Sequence, residues 1–219
     1  MLGYYYKPTG YTMQHNEFEQ TLHGSQDTTA AWSVWLKSHW FTSLIVLICL
    51  AVYLLFQIAP EFSYLLFLTQ LGEAGSSLYV SLFTASLSHI DLFHLVMNVS
   101  AWLIMASRIE RFNRLDLALL FLVAGLAGNV AQYIVSGGNF LGLSGVAYGL
   151  VGYVAWLQVL RKSVFFYIPN SFVYFSLAAM IVFLVTPFFD SIANAAHIAG
   201  FIAGAALGAM RELLLPGRQ

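Results

Sequence analysis

A serine between two glycines and a distant histidine are the residues of this chain best suited to covalent catalysis. The serine lies in Gly142-Leu143-Ser144-Gly145, and the histidine follows about fifty residues later in Ala196-His197. A serine hydroxyl becomes a nucleophile when a nearby base removes its proton, and flanking glycines leave room for a substrate. Ser144 is therefore a candidate nucleophile and His197 its candidate base. Alone, the glycine–serine pattern also fits a small-residue helix start in a membrane protein.

A second polar pair, His94 and Asn98, has a spacing of four residues and so shares one helical face. Polar side chains in an apolar helix need partners or a wet cavity. One interpretation is a polar contact between helices, and the other is a pair of donors directed at an oxyanion formed during acyl transfer. Spacing leaves both interpretations open.

Three residues, His89, Asp91 and His94, have the side chains of a metal site, because histidines often bind metals together with a carboxylate. Their spacing disfavours this interpretation, since the two histidines would lie on different faces of a helix. No His-Glu-x-x-His motif or cysteine pair accompanies them, and Cys49 is the only cysteine. We expect no metal and no other cofactor.

The elements that must position these residues are strongly apolar. Hydrophobic residues make up 59% of the 219 residues and charged residues 9%, with a mean hydropathy of +0.75. These values indicate a polytopic protein of the lipid bilayer and give no sign of a nucleic-acid partner. The sequence predicts an all-α membrane protein with six spans, at 41–60, 92–107, 116–135, 144–160, 171–189 and 195–214.

The basic residues predict how the spans are oriented. All nine Lys and Arg residues fall before span 1, between spans 2 and 3, between spans 4 and 5, or at and after the end of span 6. The positive-inside rule then places both termini in the cytoplasm and the starts of spans 2, 4 and 6 on the outer side. Span 4 has 17 residues, about 25 Å of helix, so Ser144 is expected below the outer surface of a hydrocarbon core of about 30 Å.

Regularly spaced glycines predict that spans 4 and 6 touch. They are Gly145, Gly149 and Gly152 on span 4 and Gly200, Gly204 and Gly208 on span 6. Small residues let helix backbones approach closely, and both spans start on the same side. This contact would bring Ser144 beside His197 and allow Tyr148, one turn further along, to pack on the imidazole ring.

One membrane domain preceded by a tail is expected. Residues 1–40 would form a flexible cytoplasmic tail that ends in an interfacial aromatic segment with Trp32, Trp35 and Trp40, and residues 41–215 would form the membrane domain. The loop 61–91 is long and apolar, and we expect it to lie in the outer leaflet. Asp190 is expected to be a solvated loop acid, although a role in orienting His197 stays open.

In combination, these motifs resemble the rhomboid intramembrane serine proteases, and their bacterial GlpG-type branch in particular. The resemblance runs from about residue 89 to residue 211 and follows the family's order. Its motifs are His94-x-x-x-Asn98, Glu110-Arg111, Gly142-x-Ser144-Gly145 with Tyr148, and Ala193-Asn194-Ala195-Ala196-His197-x-x-Gly200.

The resemblance implies a six-helix rhomboid-like bundle with a Ser-His dyad and no third acid. Ser144 would be the nucleophile, and His197, stacked on Tyr148, would be the general base and then the acid. His94, Asn98 and the Ser144 N–H would form the oxyanion hole, and Gly142 would keep the approach open. Such an enzyme would cleave transmembrane protein substrates near the outer face of the membrane.

The resemblance also implies roles for residues outside the candidate site. Glu110 would join a structural network on the cytoplasmic side, and span 5 with the loop 187–194 would form the flexible side where substrate enters. Two departures stand out: Val80-Ser81 replaces a Trp-Arg pair, and Leu141 precedes Gly142 where glycine is frequent. The folded N-terminal domain of some members is expected to be absent.

Three other functions fit parts of the pattern. A rhombosortase-like enzyme would use the same chemistry on a specific C-terminal anchor of exported proteins. A non-catalytic rhomboid-like binding protein would need neither Ser144 nor His197, and both are present. A transporter would line a through-path with polar residues, whereas here they are expected near one face of the membrane.

Overall fold

The computed structural model describes residues 28–59, 78–89, 91–137, 140–186 and 193–215, and all regular elements in these ranges are helical. The eight α-helices of the described ranges are α1 (Thr28–Ser38), α2 (Trp40–Ile58), α3 (Leu78–Thr84), α4 (Leu92–Phe112), α5 (Arg114–Ser136), α6 (Ser144–Val154), α7 (Asn170–Val185) and α8 (Asn194–Leu213). A 3-10 turn, Ala85–Leu87, follows α3, and a π-helical segment, Ala155–Leu160, extends α6.

The six predicted spans correspond to α2 and α4 to α8. By length and composition, α2, α4 and α5 are long and apolar enough to cross a membrane, whereas α6 with its extension and α7 are shorter apolar helices. The last helix, α8, has 20 residues and is rich in alanine and glycine. The all-α membrane bundle predicted from the apolar stretches is confirmed.

One boundary differs from the prediction. Span 2 was expected to end near residue 107, with Arg108 and Arg111 in the following connection, but α4 continues to Phe112. Long arginine side chains extend from a helix end toward the interface, so the helix does not have to stop where the apolar run stops. The connection is the single residue Asn113, whose side chain accepts hydrogen bonds from the N–H groups of Leu115 and Asp116 at the start of α5.

The α6 helix is the central helix of the bundle. Nine of its eleven residues are buried, whereas α7 has a single buried residue, Val173. The α6 helix ends in a π-helical turn in which the N–H of Arg161 donates to the carbonyl of Trp156 at 2.9 Å. Because α6 contacts helices on several sides, its neighbours hold Ser144 at a fixed position in the bundle.

Polar contacts show which helix ends lie together. Glu110, near the end of α4, accepts hydrogen bonds from the N–H groups of Phe41 and Thr42 at the start of α2 (3.1 and 2.9 Å). At the same end of the bundle, Glu212 of α8 forms an ion pair with Arg161, the residue that follows α6 and its extension, at 2.9 Å. The helices α4, α6 and α8 therefore begin together at the opposite end.

Several sequence expectations concern residues that the structure does not describe. They are the tail up to residue 27, the loop residues 60–77, residue 90, residues 138–139, the loop 187–192 with Asp190, and residues 216–219. Within the predicted loop 61–91, residues 78–84 form α3. In that helix Val80 is exposed and Ser81 is buried.

Candidate active site

Ser144 is the first residue of α6 and follows a turn that only glycine forms without strain. Gly142 has φ +127°, which side-chain-bearing residues rarely adopt. Its N–H donates to the carbonyl of Ala85 at 2.9 Å, which ties the turn to the segment after α3. The turn leads directly into α6, so Ser144 is the first residue of that helix.

The hydroxyl Oγ of Ser144 lies 2.8 Å from Nε2 of His197. This is a hydrogen-bond distance between a hydroxyl and an imidazole on two helices that begin at the same end. His197 is buried in the first turn of α8, where its backbone N–H donates to the carbonyl of Ala193. The predicted contact between spans 4 and 6 is present, and these two candidate residues meet through it.

Glycines bring the two helices together. A Cβ atom added to Gly200 would collide with the carbonyl oxygen of Gly145, and one added to Gly204 would collide with that of Gly149. A Cβ on Gly152 would collide with the carbonyl of Phe201. Here α6 and α8 pack backbone against backbone, so no side chain separates Ser144 from His197.

Tyr148 lies one turn beyond Ser144 on α6 and covers one face of the His197 imidazole. The ring centroids are 4.5 Å apart, with an interplanar angle of 34°. A tilted aromatic contact at this distance is favourable and limits rotation of the imidazole about its side-chain bonds. The sequence-predicted packing of Tyr148 on His197 is therefore present.

The polar pair of α4 faces the Gly142 turn. Asp91 caps α4 by accepting the N–H of His94 at 2.8 Å, and Asn98 Nδ2 donates to the His94 carbonyl at 2.9 Å. A Cβ atom on Gly142 would lie only 2.8 Å from His94 Nε2 and 3.8 Å from Asn98 Nδ2. Both donors thus border the turn that precedes Ser144, on the face predicted from their spacing.

The other ring nitrogen of His197, Nδ1, is buried and has no hydrogen-bond partner among the described residues. The sequence had left open whether Asp190 orients this ring, and Asp190 lies outside the described residues. In the described part of the site, the chemistry available is that of a serine and a histidine, with neighbouring N–H donors.

His89 lies beside this site without joining it. Its ring centroid is 5.2 Å from that of His94, and burial, followed by the proximity of His94, lowers the His89 pKa to about 4. Both its ring nitrogens lack partners among the described residues. Within those residues, no group of three His, Cys, Asp or Glu side chains is arranged to hold a metal ion.

Two polar residues near the site were not identified from the sequence. Gln132 Oε1 on α5 accepts the N–H of Ala196 at 3.1 Å, and Asn129 Nδ2 donates to the carbonyl of Leu82 and to Ser86 Oγ. The available signal was their position, three residues apart inside the apolar span 3, because polar residues in a span usually face the bundle interior.

The fold and the site together define a polytopic α-helical membrane protein with a serine–histidine pair at the common start of two packed helices. The Rhomboid domain family matches residues 76–212, a range that contains every residue of this pair and of the polar pair on α4. The chain belongs to the rhomboid family.

Individual relatives agree with this membership. The chain is 34% identical over 169 residues to the "Rhomboid protease GlpG" of Pectobacterium atrosepticum, a match that covers 74% of this chain and 59% of the relative. It is 33% identical over 170 residues to the protein of the same name from Yersinia enterocolitica, with the same two coverages. The match therefore spans about three fifths of the length of these relatives.

Proposed function

We propose that this chain is an intramembrane serine endopeptidase that cleaves transmembrane protein substrates with a Ser-His dyad. The observation that supports this most directly is the 2.8 Å contact between Ser144 Oγ and His197 Nε2. A nucleophile within hydrogen-bond reach of its base is the arrangement that acyl transfer requires. Membership of the rhomboid family and the relatives named as rhomboid proteases give further support.

In the acylation step, His197 Nε2 accepts the Ser144 hydroxyl proton while Oγ attacks the carbonyl carbon of the scissile peptide bond. The resulting tetrahedral intermediate carries its negative charge on the former carbonyl oxygen. As the C–N bond breaks, the protonated His197 gives its proton to the leaving amine, and an acyl ester remains on Ser144. Stacking on Tyr148 keeps the ring in position for both transfers.

The oxyanion would be stabilised by donors around the Gly142 turn. Asn98 uses one Nδ2 hydrogen for the His94 carbonyl and retains a second for a ligand. The His94 ring and the backbone N–H of Ser144, which is unbonded within α6 because it starts the helix, complete the set. At Gly142, a side chain would occupy the space beside these donors.

In the deacylation step, a water molecule gives a proton to His197 Nε2 and attacks the ester, and the serine is then released with its proton restored. The 17 residues from Ser144 to Leu160 span about 25 Å, less than a hydrocarbon core of about 30 Å, so the pair lies below the membrane surface and needs water access from the site end. The substrate must present extended backbone there, which favours spans with helix-weakening residues.

We further propose that the site faces the outer side of a bacterial inner membrane and that both termini are cytoplasmic. The reason is that the basic residues of α4, α5 and α8 cluster at the end of the bundle remote from Ser144, as the positive-inside rule requires of a cytoplasmic end. Residues 1–40 would then be a cytoplasmic segment, and residues 41–215 the membrane domain.

A serine-directed fluorophosphonate tests this function on the purified protein in detergent. We expect the probe to label Ser144, and Ser144→Ala or His197→Ala to abolish both labelling and cleavage of a model transmembrane substrate. Ser163→Ala, which changes a serine in the connection after α6, is the matched control and should react as wild type does. Cleavage that persists in folded Ser144→Ala protein would overturn the proposal.

A further inference from the structure

The helix that carries His197 begins without a capping side chain of its own. Its N-cap residue is Ala193, which has no side-chain acceptor. The first N–H groups of a helix have no partners within the helix, and leaving them unbonded in an apolar interior is costly. One of them, the N–H of Ala196, donates to Oε1 of Gln132, which lies on α5. Gln132 thus supplies a helix cap from a neighbouring helix.

The cap is held in a fixed orientation. Gln132 is buried, and its Nε2 donates to Ser136 Oγ at 2.8 Å. The hydroxyl of Ser136 in turn donates to the backbone carbonyl of Gln132 at 3.2 Å. With its amide nitrogen engaged one turn further along α5, the amide oxygen is directed at α8.

Ala196, the residue whose N–H receives this cap, is also held by its neighbours. A Cβ atom on Gly128 of α5 would lie 2.9 Å from the carbonyl oxygen of Ala196, and one on Gly145 of α6 would lie 3.5 Å from the same oxygen. Ala196 therefore lies between α5 and the residue after the candidate nucleophile. The Ala196 carbonyl belongs to the peptide group that joins Ala196 to His197, so a shift of Ala196 moves the imidazole directly.

We propose that Gln132 is a positioning residue for the Ser-His pair. By capping the Ala196 N–H, it fixes the height and rotation of the first turn of α8 and thereby the distance from His197 Nε2 to Ser144 Oγ. The inference rests on the proposed protease function, which it deepens. Gln132 touches neither reacting atom. It acts through the helix start, and a misplacement of about 1 Å at such a pair lowers the rate by about a hundred-fold.

The test compares two substitutions of Gln132, one of which keeps an acceptor oxygen while the other does not. Gln132→Met keeps the length of the side chain and removes the acceptor oxygen, whereas Gln132→Glu keeps an acceptor at the same distance. For Gln132→Met we expect kcat on a transmembrane substrate and the rate constant of Ser144 labelling by a fluorophosphonate to fall together by about ten- to a hundred-fold. KM should stay within about twofold, since docking of the substrate is unchanged. Gln132→Glu should recover most of the loss.

Gln158→Met is the matched control for lost stability. Gln158 is an equally buried amide with hydrogen bonds to the carbonyl of Ile168, the side chain of Asn170 and the N–H of Phe166, all at the opposite end of the bundle. Its replacement should lower the midpoint of thermal unfolding and leave kcat and the labelling rate of the folded protein unchanged. A purely structural role for Gln132 would give the same result.

The inference is overturned if folded Gln132→Met protein matches wild type in kcat and labelling rate, or if Gln132→Glu recovers nothing. If Gln132→Met does not fold, Ser136→Ala decides: Ser136 is exposed, and freeing the Gln132 amide should lower kcat several-fold at an unchanged unfolding midpoint. Wild-type kcat in Ser136→Ala protein would then refute the proposal. Failure of the wild-type Ser144 to react would instead refute the protease function and remove this inference with it.

Discussion

At the scale of single residues, backbone geometry contributes as much to the candidate site as side chains do. The positive φ of Gly142 and its close approach to the His94 ring both require a residue without a Cβ atom. Ser144 then meets His197 through one hydrogen bond, and the imidazole is limited by Tyr148 on one face. In the described site, the position of His197 is thus set by packing against neighbouring residues.

At this scale we predict that the two hydrogen-bond donors on α4, His94 and Asn98, contribute to turnover. Asn98→Ala and His94→Ala should each lower kcat by about ten- to a thousand-fold in folded protein, because each would remove a hydrogen bond to the developing oxyanion. Ser107→Ala is the control, since Ser107 is a buried polar residue of α4 that bonds only within its own helix in the described structure. Steady-state cleavage of a model substrate measures the effect. Wild-type kcat in both single mutants would identify the pair as packing residues.

The contacts of a site residue could be predicted from the sequence where a local pattern of residue types determined them. The pairing of Ser144 with His197 followed from glycines at helical spacing, and the shared face of His94 and Asn98 followed from a spacing of four. Gln132 had no such pattern, because its partner Ala196 lies 64 residues away and donates a backbone group that any residue but proline possesses. Because the donor is a backbone N–H, the residue types do not indicate that Gln132 and Ala196 are partners.

At the scale of elements, the contact of α6 with α8 sets the geometry of the site. The collisions that a Cβ would make at Gly200 and Gly204 are with backbone carbonyls, which cannot rotate away. At Gly208 the nearest atom is the Trp156 Cβ at 3.1 Å, so the contact loosens beyond Gly204. The helices are therefore closest over the two turns of α8 that follow His197.

A substitution in this contact should act on catalysis from a distance. Gly204 lies two turns from His197, about 10 Å along α8, and Gly204→Leu should force the helices apart and lose most cleavage, by about a hundred-fold for a displacement of about 1 Å. The measurement is kcat of purified, folded protein. The control is Ala206→Leu, whose side chain is exposed on the other side of α8. Equal rates for Gly204→Leu and wild type would show that this packing does not hold the pair.

The elements themselves were largely predictable, and their ends were not. Apolar runs gave all six spans because the bilayer demands a continuous apolar helix. The end of α4 was placed too early, since Arg108 and Arg111 were assigned to a connection although arginine side chains allow the helix to continue. The π-helical turn after α6 depends on tertiary packing and had no sequence signal.

At the scale of the whole molecule, the end remote from the site is joined by charged groups. Glu110 accepts hydrogen bonds from two N–H groups and the hydroxyl at the start of α2, and it pairs with Arg114 at 3.2 Å. Asp116 pairs with Arg211 of α8 and accepts the hydroxyl of Tyr153. The structural network implied by the resemblance for Glu110 is present, and together with Asp116 it connects the ends of five helices, α2, α4, α5, α6 and α8.

Glu110 should therefore matter for stability and not for chemistry. Glu110→Gln places an amide NH₂ opposite buried donors, and an unsatisfied buried group costs about 1–3 kcal/mol. Arg114→Met removes a half-exposed ion pair, a 3.5 Å hydrogen bond to the Ser38 carbonyl and the contact of the guanidinium with the Trp40 ring, and it should cost less than Glu110→Gln because these groups are solvated. Unfolding in detergent, followed beside kcat, measures both. A larger loss of stability from Arg114→Met than from Glu110→Gln would show that the ion pair, and not the capping of α2, joins these helices.

The sparse burial of α7 has a consequence that only the surrounding lipid reveals. Of its 16 residues Val173 alone is buried, and exposed apolar side chains such as Phe175, Ile181 and Leu184 cover its remaining surface. In water, moving this helix outward would expose apolar surface at great cost, but acyl chains take up such a surface with almost no change in hydration. Hydrogen bonds to Asn170 and to the carbonyl of Phe183 join the two ends of α7 to the bundle. Beyond these bonds, resistance to an outward displacement of α7 would come from the order and thickness of the acyl chains, and so it would be a property of the bilayer as much as of the protein.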